Sequence, residues 1–429
     1  MGQSSEDLVE RVQWTFPIVF SHHDPNILYT GTQKVWRSTN EGQSWEALSD
    51  DLTRADPSTI GPSGGPITKD QTGVETYATV FAIAPSHHDP QVIWAGSDDG
   101  YVHVTRDGGG RWENVTPRDA PDFVRINTIE ASPHTPGKAY VSGIRYLVEN
   151  DRSPYVWKTD DFGQSWSRID ASLPDDDFVR AVREDPKRPG LLYAASERTV
   201  YVSFDDGEGW MPLTLNLPTV QVADLVVEDH DLVIGTHGRS FWVLYGIDHL
   251  RQLTPEVMES DAFLFQPPDP VRGLDQTVNV TYYLAERASE VRVEFRDSDG
   301  NVLQTYASTS EEEEEEEEEA EEETSFRRSG GTPRASTAAG TNRIRWNLRL
   351  EGYTDFEGRI FWAAGNMGPA VVPGPYSVTL TVDGREVGSR NFEVKIDPRI
   401  KGVTQADLQA RFDLALQIRD RTSEANEAV

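Results

Sequence analysis

The sequence predicts an all-β protein: a β-propeller with about five visible blades, then an immunoglobulin- or fibronectin-like β-sandwich, then a short C-terminal helix. Three observations carry this expectation. A polar turn ending in tryptophan recurs four times. An independent repeat runs in register with it, and after residue 252 the pattern changes to longer alternating strands.

The first repeat is "FSHHDPNILYTGT" at 20–32 and "PSHHDPQVIWAGS" at 85–97, an offset of 65 from Pro25 to Pro90. Two weaker copies, "ASPHTPGKAYVSG" at 131–143 and "EDPKRPGLLYAAS" at 184–196, keep the proline (Pro136, Pro189) and the aromatic four places later (Tyr140, Tyr193). They lose the histidine pair.

The second repeat has the form Ser/Thr-x-Asp/Asn-x-Gly-x-x-Trp. It reads "STNEGQSW" at 38–45, "TRDGGGRW" at 105–112, "TDDFGQSW" at 159–166 and "SFDDGEGW" at 203–210. The hydroxyl and the side chains of Asn40, Asp107, Asp161 and Asp205 suit bonds to the turn's own amides. Gly42, Gly109, Gly163 and Gly207 supply positive φ, and Trp45, Trp112, Trp166 and Trp210 are expected to fold over the following strand.

Short alternating strands surround each motif, four per repeat; in the second they are "TVFAIAPS", "VIWAGS", "YVHVTRD" and "WENVT". Four antiparallel strands per repeat describe a propeller blade. A fifth unit at 222–247 has three strands and no turn motif, and the N-terminal "VERVQWTF" is the expected source of its missing outer strand. "SHHDP" then reads as the turn between a blade's first and second strands. His22, His23, His87 and His88 stand on separate blades, on the tryptophan-turn face, and no metal site or cofactor is expected from them.

The four turns resemble Asp-boxes, or BNR repeats, of sialidases, two-propeller xyloglucanases and the sortilin-type propeller. Over residues 9–252, "GGPITKDQTGVE", "VREDPKRPGLLYAASERTVYVSFDDG" and "DLVIGTHGRSFW" resemble large bacterial proteins labelled "glycosyl hydrolase, BNR repeat" or sortilin-like. The resemblance covers their C-terminal portion. It implies further blades upstream and an exported, periplasmic or extracellular, location, although "MGQSSEDLVERVQWTF" has neither the basic nor the apolar region of a signal peptide. The Arg-Ile-Pro signature of sialidases is replaced by "VRIN" at 124–127.

Residues 253–273 are expected as a proline-rich linker and 274–400 as the sandwich, with "DSDGN" at 297–301 and Asp383-Gly384 as hairpin turns. The segment 307–340, rich in glutamate, serine, glycine and alanine, is expected to be a disordered insertion because it has too little apolar content to offset its ordering entropy. In 401–429, Thr404 and Asp407 cap a helix whose apolar face is Leu408, Phe412, Ala415 and Ile418.

The net charge is −32, and without the twelve glutamates of 311–319 and 321–323 it is still −20. Nucleic acid is therefore excluded as a partner, because phosphate binding needs a basic surface. No run approaches the length of a membrane span. With no cysteine there is no disulfide and no thiolate chemistry. Seven lysines against 33 arginines, on an acidic background, suit a protein kept soluble at high salt.

Binding on a propeller belongs to the face of the blade-to-blade links and the second-to-third-strand loops. The links hold a repeated "DFVR", 122–125 and 177–180, and a long insertion at 49–77 supplies a lid or wall. Expected ligand-binding residues are Arg125, Arg180, Arg145, Tyr146, His237 and Arg239, the arginines suiting a carboxylate or sulfate. Arg198 lies in the same loop set. Asp98, Asp99 and Glu149 form the pool for a glycosidase carboxylate pair. No nucleophile elbow, zinc-protease or phosphate-loop motif is present. The two readings are a non-catalytic propeller that binds a glycan or peptide or acts as a scaffold, and a glycoside hydrolase of xyloglucanase-like or sialidase-like type.

Overall fold

The computed structural model describes residues 7–62, 74–275, 277–308, 334–356 and 365–428. The chain divides into two compact units, Met1–Tyr245 and Gly246–Val429.

The first unit is a row of five antiparallel sheets. The first holds β1 (Ile18–Phe20), β2 (Leu28–Gly31), β3 (Val35–Ser38) and β4 (Glu46–Ala47). The second holds β5 (Val80–Pro85), β6 (Ile93–Ser97), β7 (Val102–Thr105) and β8 (Trp112–Asn114). The third holds β9 (Arg125–Ala131), β10 (Ala139–Arg145), β11 (Asp151–Thr159) and β12 (Ser167–Arg168). The fourth holds β13 (Val179–Glu184), β14 (Leu192–Ser196), β15 (Val200–Ser203) and β16 (Met211–Pro212). The fifth has three strands, β17 (Val222–Val227), β18 (Asp231–Thr236) and β19 (Phe241–Tyr245). These are propeller blades, each packed on the next through its inner strand.

Alternation along the strands gives each blade two apolar faces. The aromatic after the repeated proline fills the junction with the following blade: Tyr29 packs with Ile83 and Ile93, Trp94 with Ile129, Tyr140 with Val182 and Leu192. "SHHDP" forms the expected turn. Ser21 Oγ accepts from the amides of His23 and Asp24, and Ser86 Oγ from those of His88 and Asp89. The turn also does something the repeat does not announce. His23 Nε2 reaches the carbonyl of Ser86 on the next blade at 3.0 Å, His134 Nε2 that of Asp185 at 2.7 Å, and Lys187 Nζ that of Asp229 at 2.8 Å. The same repeat position pins three of the four junctions: first to second, third to fourth and fourth to fifth.

The second motif folds as expected at its turn and differently at its tryptophan. Thr159 Oγ1 accepts from the Gly163 amide at 2.9 Å and donates to Asp161, which takes the Ser165 amide at 2.9 Å; the other three copies repeat this pattern. The indoles do not lie over the following strand. They reach back to the blade before: Trp112 Nε1 donates to Leu48 O at 2.8 Å, Trp166 to Val115 O and Trp210 to Ile169 O, both at 2.6 Å. The reason is the close approach at the glycine, where φ is +81° at Gly163 and an added Cβ would stand 2.7 Å from Val115 of the preceding blade. Trp45, on the first sheet, makes no such bond among the described residues and is 40% exposed.

The N-terminal segment does not complete the fifth sheet. Arg11 donates to Ala78 O and Asp51, its amide bonds Gln33, and Gln13 bridges Glu75, so this segment lies along the first and second blades. The buried Arg11 finds its acceptors only there. No strong contact joins the first sheet to the fifth among the described residues. Their outer faces are correspondingly bare: Ile18 is 61% exposed where its repeat equivalent Ile83 is 6%, and Phe241 is 82% exposed where its equivalent Val200 is fully buried.

In the second unit, α1 (Pro255–Met258) precedes two sheets around one core. One holds β20 (Ala262–Leu264), β22 (Val278–Leu284) and β25 (Gly340–Trp346). The other runs β21 (Val271–Arg272), β27 (Arg385–Ile396), β26 (Gly374–Val382), β23 (Val291–Arg296), β24 (Val302–Ala307). Residues 253–273 therefore carry two sandwich strands, because Leu264 and Phe265 bury. At the centre Phe295 stacks on Trp346, with Tyr376 and Phe392 meeting Trp346 edge-on. "DSDGN" and Asp383-Gly384 are hairpin turns. Of 307–340, residues 309–333 with the glutamate run lie outside the described residues, and Ala335 packs in the core. Helix α2 (Gln405–Glu427) opens with the expected Thr404–Asp407 capping box.

The back-reaching indoles give unequal stakes. Trp210→Ala removes a buried ring and its cross-blade bond and should cost about 3–5 kcal/mol. Trp45→Ala should cost less than about 1 kcal/mol. Urea unfolding of the two variants checks the difference.

Candidate functional site

Phe81 and Arg180 hold the same register position, one residue inside β5 and β13, while Arg125 is the first residue of β9, two positions before its blade's equivalent, Asn127. The link residues of "DFVR" do different work at each copy. Phe178 is buried and stacks on Tyr146 at 4.8 Å, making a plate beside which Arg180 lies, 5.0 Å from the Phe178 ring. Arg180 is held by Glu197 at 2.7 Å and by Gln221, whose amide oxygen accepts from Nε and Nη2 at 3.2 and 3.0 Å.

Arg125 has no such hold. Its guanidinium stacks on Phe81 at 4.6 Å, its buried Nε has no hydrogen-bond partner, and no carboxylate ion-pairs with it among the described residues. Burial lowers its pKa first, and the nearby Arg180 charge adds to that. The acids of the same motif are engaged elsewhere. Asp122 pairs with Arg54 at 3.0 Å, and Asp177 accepts from Ser196 and Tyr201.

Asp98 and Asp99 are buried ties. Asp98 accepts from the Thr79 amide at 2.8 Å and its hydroxyl at 2.9 Å. Asp99 accepts from Ser97 Oγ at 2.6 Å and from the amides of Arg54 and Ala55, fastening the start of the 49–77 insertion; residues 63–73 of that insertion lie outside the described residues. Burial pushes the Asp98 carboxyl up to about 7 and raises Asp99. Glu149 is at the surface, paired with Arg145 at 2.9 Å. Arg145 also donates to Asp122 O, and Arg198 pairs with Asp176. His237 and Arg239 sit exposed on the β18–β19 loop of the fifth blade. The structure thus groups Arg125, Arg180 and Tyr146, and leaves the carboxylate pool unpaired with one another.

Sequence reasoning missed Phe81, Phe178, Glu197 and Gln221. Phe178 was inside the quoted "DFVR", and Phe81 occupies the register position of Arg180 two blades earlier. It also missed the opposite mouth of the axis, a cavity of about 400 Å3. There His22 and His87 stack at 3.6 Å, both with lowered pKa through burial, and Arg183 bridges Glu130 at 3.2 Å and Asp224 at 2.9 Å. No cluster of three or more His, Asp or Glu fit to hold a metal occurs among the described residues.

Neither a family model nor a curated protein matches the chain by sequence. Among solved structures it is similar to an ancestral GH74 enzyme, at 16% identity and TM-score 0.38, over 72% of this chain and 40% of that one. It is also similar to the Niastella koreensis GH74 enzyme, at 11% identity and TM-score 0.38, over 87% and 56%. A third is YCF48 bound to D1 peptide, at 13% identity and TM-score 0.34, over 60% and 72%. The chain spans only part of either GH74 enzyme. No described helix is long and apolar enough to cross a membrane.

Asp98 titrates with a folded pKa above its unfolded one, so its stabilisation is complete below the carboxylate range and is lost as pH rises toward 7. Asp98→Asn keeps the Thr79 pairing without the charge. Its Tm should match the parent at about pH 4 and exceed it by several degrees at about pH 8; thermal melts at the two pH values check this.

Proposed function

We propose that the chain is a non-catalytic binding propeller that captures a carboxylate-bearing peptide or glycan on the blade-link face, with Arg125 as the principal contact. The observation that carries this is the state of Arg125: desolvated, stacked, and without an acidic partner among the described residues, in a protein with 72 acidic residues. A free guanidinium fork there is matched by a planar oxyanion. Arg180, pre-set by Glu197 and Gln221, and the Tyr146–Phe178 plate supply a second donor and a stacking surface.

The glycosidase reading gains no support from the carboxylates. That chemistry needs two carboxyl groups facing the substrate at a set separation, and the oxygens of Asp98 and Asp99 are bonded to their own chain. A scaffold reading, in which further blades cover the ends of the row, is favoured by the bare faces carrying Ile18 and Phe241.

The test is calorimetric titration with peptides bearing free or amidated C-termini and with glucuronate or neutral oligosaccharides. Binding to the acidic forms, weakened about tenfold or more by Arg125→Ala, is expected, since a charge-assisted bond contributes about 1.5–3 kcal/mol. Equal binding of acidic and neutral forms overturns the reading. Silence across the panel, with a solution mass above one chain that falls to one chain in Phe241→Asp, supports the scaffold instead.

A further inference from the structure

A second cationic place lies wholly within the sandwich unit. A cavity of about 320 Å3 opens between α2 and the sandwich, lined by Arg272, Arg349, Arg411, Phe412 and Ile418, with Tyr353 at its rim. The three arginines come from three separate elements: Arg272 ends β21, Arg349 follows β25, and Arg411 stands on the second turn of α2.

In an acidic chain each of these arginines has many carboxylates to choose from. None of the three ion-pairs with one among the described residues. Arg272 Nε donates to Val371 O at 2.7 Å and Arg349 Nη1 to Gly368 O at 2.9 Å, so carbonyls aim both groups and leave N–H donors uncommitted. Burial lowers the Arg272 pKa first, and the Arg411 and Arg349 charges lower it further, so the three repel one another. Arg419 at the same cavity is different, since it already pairs with Asp420. The apolar face of α2 forms the floor: Phe412 and Ala415 are half-buried, while Ile418 is largely uncovered.

We propose that this cleft binds a ligand carrying two or three carboxylates, held by Arg272, Arg349 and Arg411 over the floor of Phe412, Ala415 and Ile418. Three separated guanidinium groups suit several anionic groups on one body rather than a single phosphate. The negative charge of the whole chain disfavours nucleic acid. The same chemistry is offered by a small polycarboxylic acid and by an acidic peptide.

The experiment is calorimetric titration of the full chain at low ionic strength with citrate, with a hexaglutamate peptide and with inorganic phosphate. Because residues 311–319 and 321–323 are glutamates, the same titrations are run on a variant with these changed to glutamine, which removes the chain's own densest run of carboxylates. Saturable binding of citrate or hexaglutamate is expected, falling about tenfold in Arg411→Ala and weakening with salt. Citrate alone or peptide alone identifies the source, and binding seen only in the glutamine variant supports the site by unmasking it. Arg411 is exposed, so its variant should keep the parental melting curve, which is the control for folding. The proposal is overturned by silence of both polycarboxylates in both backgrounds, by binding of phosphate alone, or by binding unchanged in Arg411→Ala.

Discussion

Everything in the first unit depends on the junction between adjacent blades. A four-stranded sheet with apolar residues on both faces cannot satisfy itself, and burial of each face requires a neighbour. Tyr29, Trp94 and Tyr140 fill successive junctions from one side, while Ile83, Ile129 and Val182 fill them from the other. Polar clasps then fix the register: an indole to a carbonyl at the outer strands, and a histidine or lysine to a carbonyl near the axis. The conformational demand on Gly109, Gly163 and Gly207 is the same constraint seen locally, since the turn must come within van der Waals reach of the blade before it.

The part of this that was legible from sequence is the part governed by local chemistry. Ser/Thr, Asp and Gly at fixed offsets dictate a turn wherever they occur, so the Asp161 turn is readable without knowledge of its neighbours. The destination of Trp166 is not, because Val115 lies on another blade and no offset encodes which blade is adjacent. The N-terminal segment illustrates the same limit. Its alternation suits an outer strand, but the buried guanidinium of Arg11 finds its acceptors at Ala78 and Asp51, and that long-range match decides its place. Likewise "DFVR" announced two equivalent arginines. Only the fold shows that one is held by Glu197 and Gln221 while the other rests on a phenyl ring.

Charge is distributed with more discrimination than the total suggests. Most arginines of the first unit are tied to carboxylates, as in Arg183 with Glu130 and Asp224 or Arg11 with Asp51. Against that background, Arg125 in one unit and Arg272, Arg349 and Arg411 in the other are among the arginines with no carboxylate ion pair among the described residues. An unpaired guanidinium that is partly desolvated is costly to keep. Buried carboxylates show the converse. Asp98 is held by donors of its own chain.

The clasps also have a direction. Trp112, Trp166 and Trp210 each fasten the outer strand of the blade before, so Leu48, Val115 and Ile169 are each secured by the blade that follows. The corresponding residue of the fourth blade is Leu213, whose amide bonds Val200 O in the same way, but the fifth sheet brings no Asp-turn tryptophan to take its carbonyl. In a row of units coupled only to nearest neighbours, opening starts where coupling is weakest. The short β16 edge and the fifth sheet are therefore the natural origin of fraying, and amide exchange should run down the row from that end.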